Sequence, residues 1–281
     1  MAEGGPVTRV AWCSGMNLTY ELVDDLAFAS QNGRNDLVRH VAGANIVELG
    51  PLVEYAWLRR QMSLPSLSSA AATSLSERFK NFIAGPRSNE IGSLNDGRAI
   101  EFVRLPMQEQ GFTAPDWVAF KSRMMFAAQS RGLSSSEAAG VVGAFGEMAS
   151  NAYEHSARPE TAIAAFHAGS TSFEFVVADA GIGAAASLRS CEEYRHVHDP
   201  GDALLMCISE GVSRHGEAGL RGLGFQVLFA RLADLNARVR IRSDNQVIDL
   251  RGDRLGPRWA IPAGRPPVPG VLISAQCFTS A

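Results

Sequence analysis

SSSEAAGVVGAFGEMASNAYEHS (134–156), followed by TAIAAFHAG (161–169) and SFEFVVADA (172–180), is the stretch that decides the architecture. The serine cluster can cap a helix, and Glu137 stands where a capping box needs its acid. Val141, Phe145, Met148 and Ala152 then recur at three- and four-residue steps, which is one apolar stripe on a helix. The two following segments read as strands joined by a short Gly/Ser turn, a hairpin. A helix with one apolar face beside such strands predicts an α+β layer arrangement.

Beyond the hairpin, the segment 181–222 holds one helix, PGDALLMCISEGV (200–212), with Pro200 near its start and Gly211 near its end. A further helix runs from Gly222 to Ala237. ARVRIRS (237–243), QVIDLRG (246–252) and VLISAQCF (271–278) read as three closing strands. On the other side, DWVAFKSRMMFAAQSRG (116–132) is a helix ending at Gly132, and EQGFTAP (109–115) carries boundary punctuation. The expected fold of 116–281 is a two-layer α/β sandwich, with helices on one face of a mixed, mainly antiparallel sheet. A mixed α/β region, 1–115, precedes it. There VTRVAWC (7–13) and AIEFVRLP (99–106) read as strands, and TYELVDDLAFASQ (19–31) reads as a helix. The run from Asn35 to Met62 reads as helical with a break at Gly50-Pro51, and SLPSLSSAAATSLS (63–76) as a loop or a helix start. No motif decides whether this region is a sensor, a docking module or a small regulatory domain.

Composition bounds the function. The chain has 281 residues, 46% hydrophobic and 20% charged, as in globular proteins and unlike disordered ones. Its formal charge is −3 and neither half is basic, so no nucleic-acid footprint is expected. Of the 26 basic residues only Lys80 and Lys121 are lysines, which leaves no lysine for a phosphate after the helix of 116–132. Cys13, Cys191, Cys207 and Cys277 form no CxxC pair, and free thiols in a reducing, cytoplasmic setting are the expectation. No signal peptide and no apolar run of bilayer length is read, so no membrane partner is expected.

Three short stretches carry chemistry. In EMASNAYEHS (147–156), Glu147 and Asn151 lie one turn apart on one helix face. A carboxylate there can orient or deprotonate a hydroxyl or water, and a carboxamide oxygen suits Mg²⁺. In VADAGIG (177–183), Asp179 closes an apolar strand, where a carboxylate needs a donor such as an adenine amino group. Gly181 and Gly183 would let backbone pass close to a flat base. In RGLGF (221–225), Gly222 and Gly224 open a helix whose free N–H groups attract phosphate, with Arg221 beside them. Taken singly, each has an ordinary reading: a solvated helix edge, a strand-to-loop turn, a flexible lead-in to a helix.

Taken in order, the three resemble the N box and the two Gly boxes of the GHKL (histidine-kinase-like) ATPase superfamily, over about residues 116–281. The resemblance implies a Bergerat-type ATP-binding fold with ATP and Mg²⁺ as ligands. It implies that Glu147 is the general base, Asn151 the magnesium ligand and Asp179 the adenine partner. Gly181 and Gly183 would line the base pocket, Gly222 and Gly224 would meet phosphates, and 184–220 would be a lid. The run NAYEHS and the spacing of EGVS to RGLGF are most similar to the bacterial anti-sigma serine kinases and regulatory ATP-binding proteins. The second box departs from the common GTGLGL form, with Leu220 and Arg221 where small residues are usual. His40 lacks the surroundings of a phosphoacceptor, and His196, His198 and His215 read as solvated lid residues.

The expected function is therefore a cytoplasmic signalling protein that binds Mg-ATP and transfers phosphate to a protein Ser/Thr or to water. A protein partner is expected, as regulator or substrate, and a homodimer is open. The alternatives are an ATP-gated switch with little catalysis and a degenerate fold used for protein contacts.

Overall fold

The structure is a computed structural model and describes residues 16–34, 44–62, 64–67, 74–84, 90–93, 99–209 and 224–278. Its helices are α1 (Tyr20–Gln31), α2 (Leu49–Met62), α3 (Ser74–Ala84), α4 (Pro115–Ser130), α5 (Ser135–His155), α6 (Gly183–Arg189), α7 (Pro200–Ile208) and α8 (Gly224–Leu232). Its strands are β1 (Glu90–Ser93), β2 (Ala99–Arg104), β3 (Ile163–Ala168), β4 (Ser172–Ala178), β5 (Arg238–Arg251) and β6 (Ala263–Phe278). The strand VTRVAWC lies outside the described residues.

Local signals set the helix ends. Ser134 Oγ accepts the Glu137 N–H while Glu137 Oε2 accepts the Ser134 N–H, so α5 starts at the expected capping box. Thr19 caps α1 through the Leu22 N–H. Gly50 and Pro51 do not break a helix: they lie in the first turn of α2, where a missing N–H is harmless.

The strands form one sheet in the order β1-β2-β3-β4-β6-β5. Each of these pairings is antiparallel, so the sheet is not the mixed one expected. The boundary expected at residue 115 falls within this sheet, since β2 pairs with β3 from Ala99↔Ala168 to Arg104↔Ile163. A straight strand as long as β5 would span roughly 45 Å. Yet the Gly252 N–H reaches the Ala237 carbonyl at 2.8 Å. β5 therefore doubles back as a hairpin at Asp244, whose φ is +51°. The two strands read at 237–243 and 246–252 are its two arms.

Both faces of the sheet are covered. Phe166, Phe173, Phe175, Val239, Ile241 and Ile273 pack on one side under Phe120, Met124, Phe145, Met148 and Leu228 of α4, α5 and α8. Ile100, Phe102, Ile163, Ala165, Val176 and Leu272 pack on the other under Leu26, Val53, Trp57 and Phe79 of α1, α2 and α3. The fold is α+β: α4, α5 and α8 of 116–281 lie on one face of the strands, as expected of that part, and α1, α2 and α3 of the N-terminal region add a third layer on the other face. β3 and β4 are buried at every position because helices lie above and below them.

The second face is polar toward β5. Arg240 donates to Glu54 at 2.8 Å and 2.9 Å, to Asp24 at 2.7 Å and to Asp249 at 2.7 Å. Arg242 pairs with the same Glu54, and Arg265 reaches Asp24 at 2.7 Å. The guanidiniums of Arg238 and Arg240 both lie over the Tyr20 ring, at 4.5 Å and 4.6 Å from its centre. Buried charges need partners, and these come from α1, α2 and, through Asp249, β5 itself. Among the described residues, no helix is long and apolar enough to cross a membrane.

Candidate functional site

The predicted site residues that fall in the described set lie toward the end of the sheet where β4 stops. The Asp179 N–H donates to Val271 O of β6 at 2.9 Å, so the residue stays in register after the strand ends. The residue is only 2% exposed. Oδ1 accepts the Gly181 N–H at 2.8 Å, which closes a local turn. Burial pushes the Asp179 carboxyl up from 3.8 to about 6, against the pull of the Gly181 and Val271 backbone amides.

The loop after Asp179 is braced from three sides. Ala180 N–H donates to Thr161 Oγ1 at 3.0 Å, and Ile182 N–H to Ser156 O at 2.9 Å. Ala184 N–H donates to Ser243 Oγ at 2.8 Å, and that hydroxyl donates to Gly270 O at 3.1 Å. Gly181 passes so close to the end of α5 that a Cβ would sit 2.1 Å from Ser156 O. Gly183 holds φ +77°, with Ser243 and Asp244 of the β5 turn both 3.1 Å from where a Cβ would be.

Glu147 and Asn151 lie on α5. Burial of the Val141, Phe145, Met148 and Ala152 stripe turns Glu147 to solvent and leaves Asn151 half-buried at the stripe's edge. Asn151 precedes Ser156 by five residues, about 7.5 Å along the helix. Ser156 is the residue bonded to the glycine loop.

The start of α8 lies at the same end. Arg238 pairs with Gln276, which pairs with Glu174, so β5 begins where β4 begins. α8 feeds β5 through 233–237, so the C-terminus of α8 is at that far end. Gly140, near the start of α5, meets Arg231 in the last turn of α8. The two helices are therefore antiparallel, and Gly224 starts α8 on the side of Asn151 and Asp179. Arg221 and Gly222 lie outside the described residues.

Much of the expected lid is folded. α6 and α7, with the turn Glu192–Tyr194 between them, enclose a small core of Ala185, Leu188, Tyr194, Val197 and Ala203. Asp199 caps α7 through the N–H groups of Gly201 and Asp202. His196 and His198 line an open depression of about 480 Å³ together with Asp199, Asp202, Leu205 and Met206. Residues 210–223 of the expected lid lie outside the described set.

Sequence reading missed Ser243, Asp244, Gly270 and Trp57. The Asp244-Asn245 pair between two alternating strands is a hairpin signal that could have marked the turn. Gly270, at φ +67°, stands so close to Asp179 that a Cβ would lie 2.3 Å from Oδ1. The Trp57 indole N–H donates to the Asp179 carbonyl at 3.1 Å, a contact with no local signal. Among the described residues, no three His, Cys, Asp or Glu side chains are placed to hold a metal ion. A cation here would draw most of its ligands from a bound molecule and water. Comparison with known proteins returns no match, whether to families, to curated proteins or to solved structures.

Proposed function

We propose that this chain is a regulatory protein that binds Mg-ATP, of the GHKL type and nearest in pattern to the anti-sigma serine kinases. One observation carries the reading. Three stretches separated by tens of residues converge at one end of the sheet: the Glu147/Asn151 turn of α5, the Asp179–Gly183 loop and the start of α8. Asp179 accepts the adenine amino group, and Gly181 and Gly183 leave room for the base. The amides at the start of α8 face phosphate, joined by Arg221 and Gly222 of the adjoining segment. Asn151 offers one neutral oxygen, which fits a cation that keeps phosphate and water as its other ligands. When bound, Mg²⁺ supplies charge neutralisation at the phosphates. Glu147, exposed on the same face, orients the hydroxyl of a protein Ser/Thr or a water for attack.

A second reading, an ATP-gated switch with little turnover, is favoured by α2. That helix ties the N-terminal layer to the backbone of Asp179. Calorimetric titration of the full chain with ATP, with and without Mg²⁺, tests both readings. Absence of adenine-nucleotide affinity removes both. Asn151→Ala is expected to abolish the magnesium dependence of binding. Phosphate release that is lost in Glu147→Ala while affinity is kept supports the enzyme. Binding with no turnover in the parent chain supports the switch.

A further inference from the structure

The N-terminal layer reaches the backbone of the proposed pocket through the Trp57 side chain. α2 lies along the central strand β4 and is fastened to it at two points. At its start, the Leu49 N–H donates to Glu174 Oε2 at 2.8 Å. Eight residues on, the Trp57 indole N–H donates to Asp179 O at 3.1 Å. Eight helical residues rise about 12 Å. The five strand residues from Glu174 to Asp179 span roughly 16 Å, so helix and strand run in the same direction. Between the two anchors, Glu54 binds Arg240 and Arg242 of β5. Leu49, Glu54, Trp57, Glu174 and Asp179 are all buried, so water does not stand in for a lost partner.

These anchors act on the residue that reads the base. The Asp179 backbone is held by Val271 through its N–H and by Trp57 through its carbonyl. Its carboxylate is held in one turn by Gly181. We infer that Trp57 is a positioning residue for Asp179, so that α2 makes the N-terminal layer part of the nucleotide site and a route for controlling it. This rests on the proposed role of Asp179 as the adenine partner. A partner or signal that shifts α2 changes base recognition from the face opposite the helices α5 and α8. Positioning of this kind is selective: it affects the reading of the adenine amino group and leaves phosphate contacts alone.

The test is calorimetric titration of full-length wild type and Trp57→Phe with ATP and with inosine triphosphate, which carries an oxygen where adenine has its amino group. The wild type is expected to favour ATP. In Trp57→Phe, ATP affinity is expected to fall about tenfold, the effect of one hydrogen bond, with inosine triphosphate affinity unchanged. A general loosening of the fold would weaken both ligands alike and keep their ratio, and that result overturns the inference while the proposed function stands. A wild type that binds neither ligand overturns the proposed function and the inference with it. Should Trp57→Phe fail to fold, the wild-type chain labelled with 15N-tryptophan serves instead. Its Trp57 indole signal, assigned by substituting the other three tryptophans, is expected to move with ATP and not with inosine triphosphate. A signal that ignores ATP, or responds equally to both, overturns the inference.

Discussion

Asp179→Asn should make the free protein more stable and the nucleotide complex weaker. Burial holds the carboxyl at about 6, where an ordinary aspartate titrates at 3.8. Between these values the folded chain keeps a proton that the unfolded chain has released. The contribution of this group is therefore fully present below pH 3.8 and is lost as pH rises through about 6. At about 1.4 kcal/mol per pH unit, a gap of about two units costs about 3 kcal/mol above pH 6. Asparagine keeps the oxygen that accepts the Gly181 N–H and carries no charge. Its amide NH2 is now buried in place of an oxygen, which takes back part of the gain. Urea denaturation of both proteins at pH 4, 6 and 7.5 reads the difference. We expect the variant to gain up to about 3 kcal/mol relative to wild type on going from pH 4 to pH 7.5. ATP affinity, measured at pH 7.5, falls because the acceptor for the base is gone. A stability difference that does not change with pH refutes the argument, because the desolvated charge would then not exist.

Three further outcomes follow from the same geometry. Glu54→Gln leaves Arg240 and Arg242 short of a buried counter-charge, and a loss of about 3–5 kcal/mol in denaturant unfolding is expected; an unchanged midpoint would show that the cluster carries no net charge balance. Gly270→Ala puts a methyl against Asp179 at φ +67°, so a loss of at least about 2 kcal/mol is expected from the same measurement. Ser134→Ala removes the α5 cap and should lower stability by about 1 kcal/mol while nucleotide affinity stays at wild-type level, since the cap lies at the far end of α5 from Asn151.

The sequence by itself determined the parts that depend on neighbours along the chain. The capping box and apolar stripe of α5, the β3–β4 hairpin and the two arms of β5 are set by near-neighbour periodicity and turn chemistry, which a single sequence displays. Asp179 and its glycines could be read as a strand end for the same reason. The tertiary structure alone decided what covers the second face of the sheet. ARVRIRS alternates in a way that would place Arg238, Arg240 and Arg242 in water, yet Arg240 and Arg242 are buried under α1 and α2. The ion pair of Arg240 with Asp24 joins residues 216 apart, and Trp57 reaches Asp179 across 122. No local pattern encodes such pairs, because a buried charge or indole is tolerated only where a distant segment supplies its partner. The third layer, the all-antiparallel sheet and the tie between α2 and the candidate site therefore came from packing.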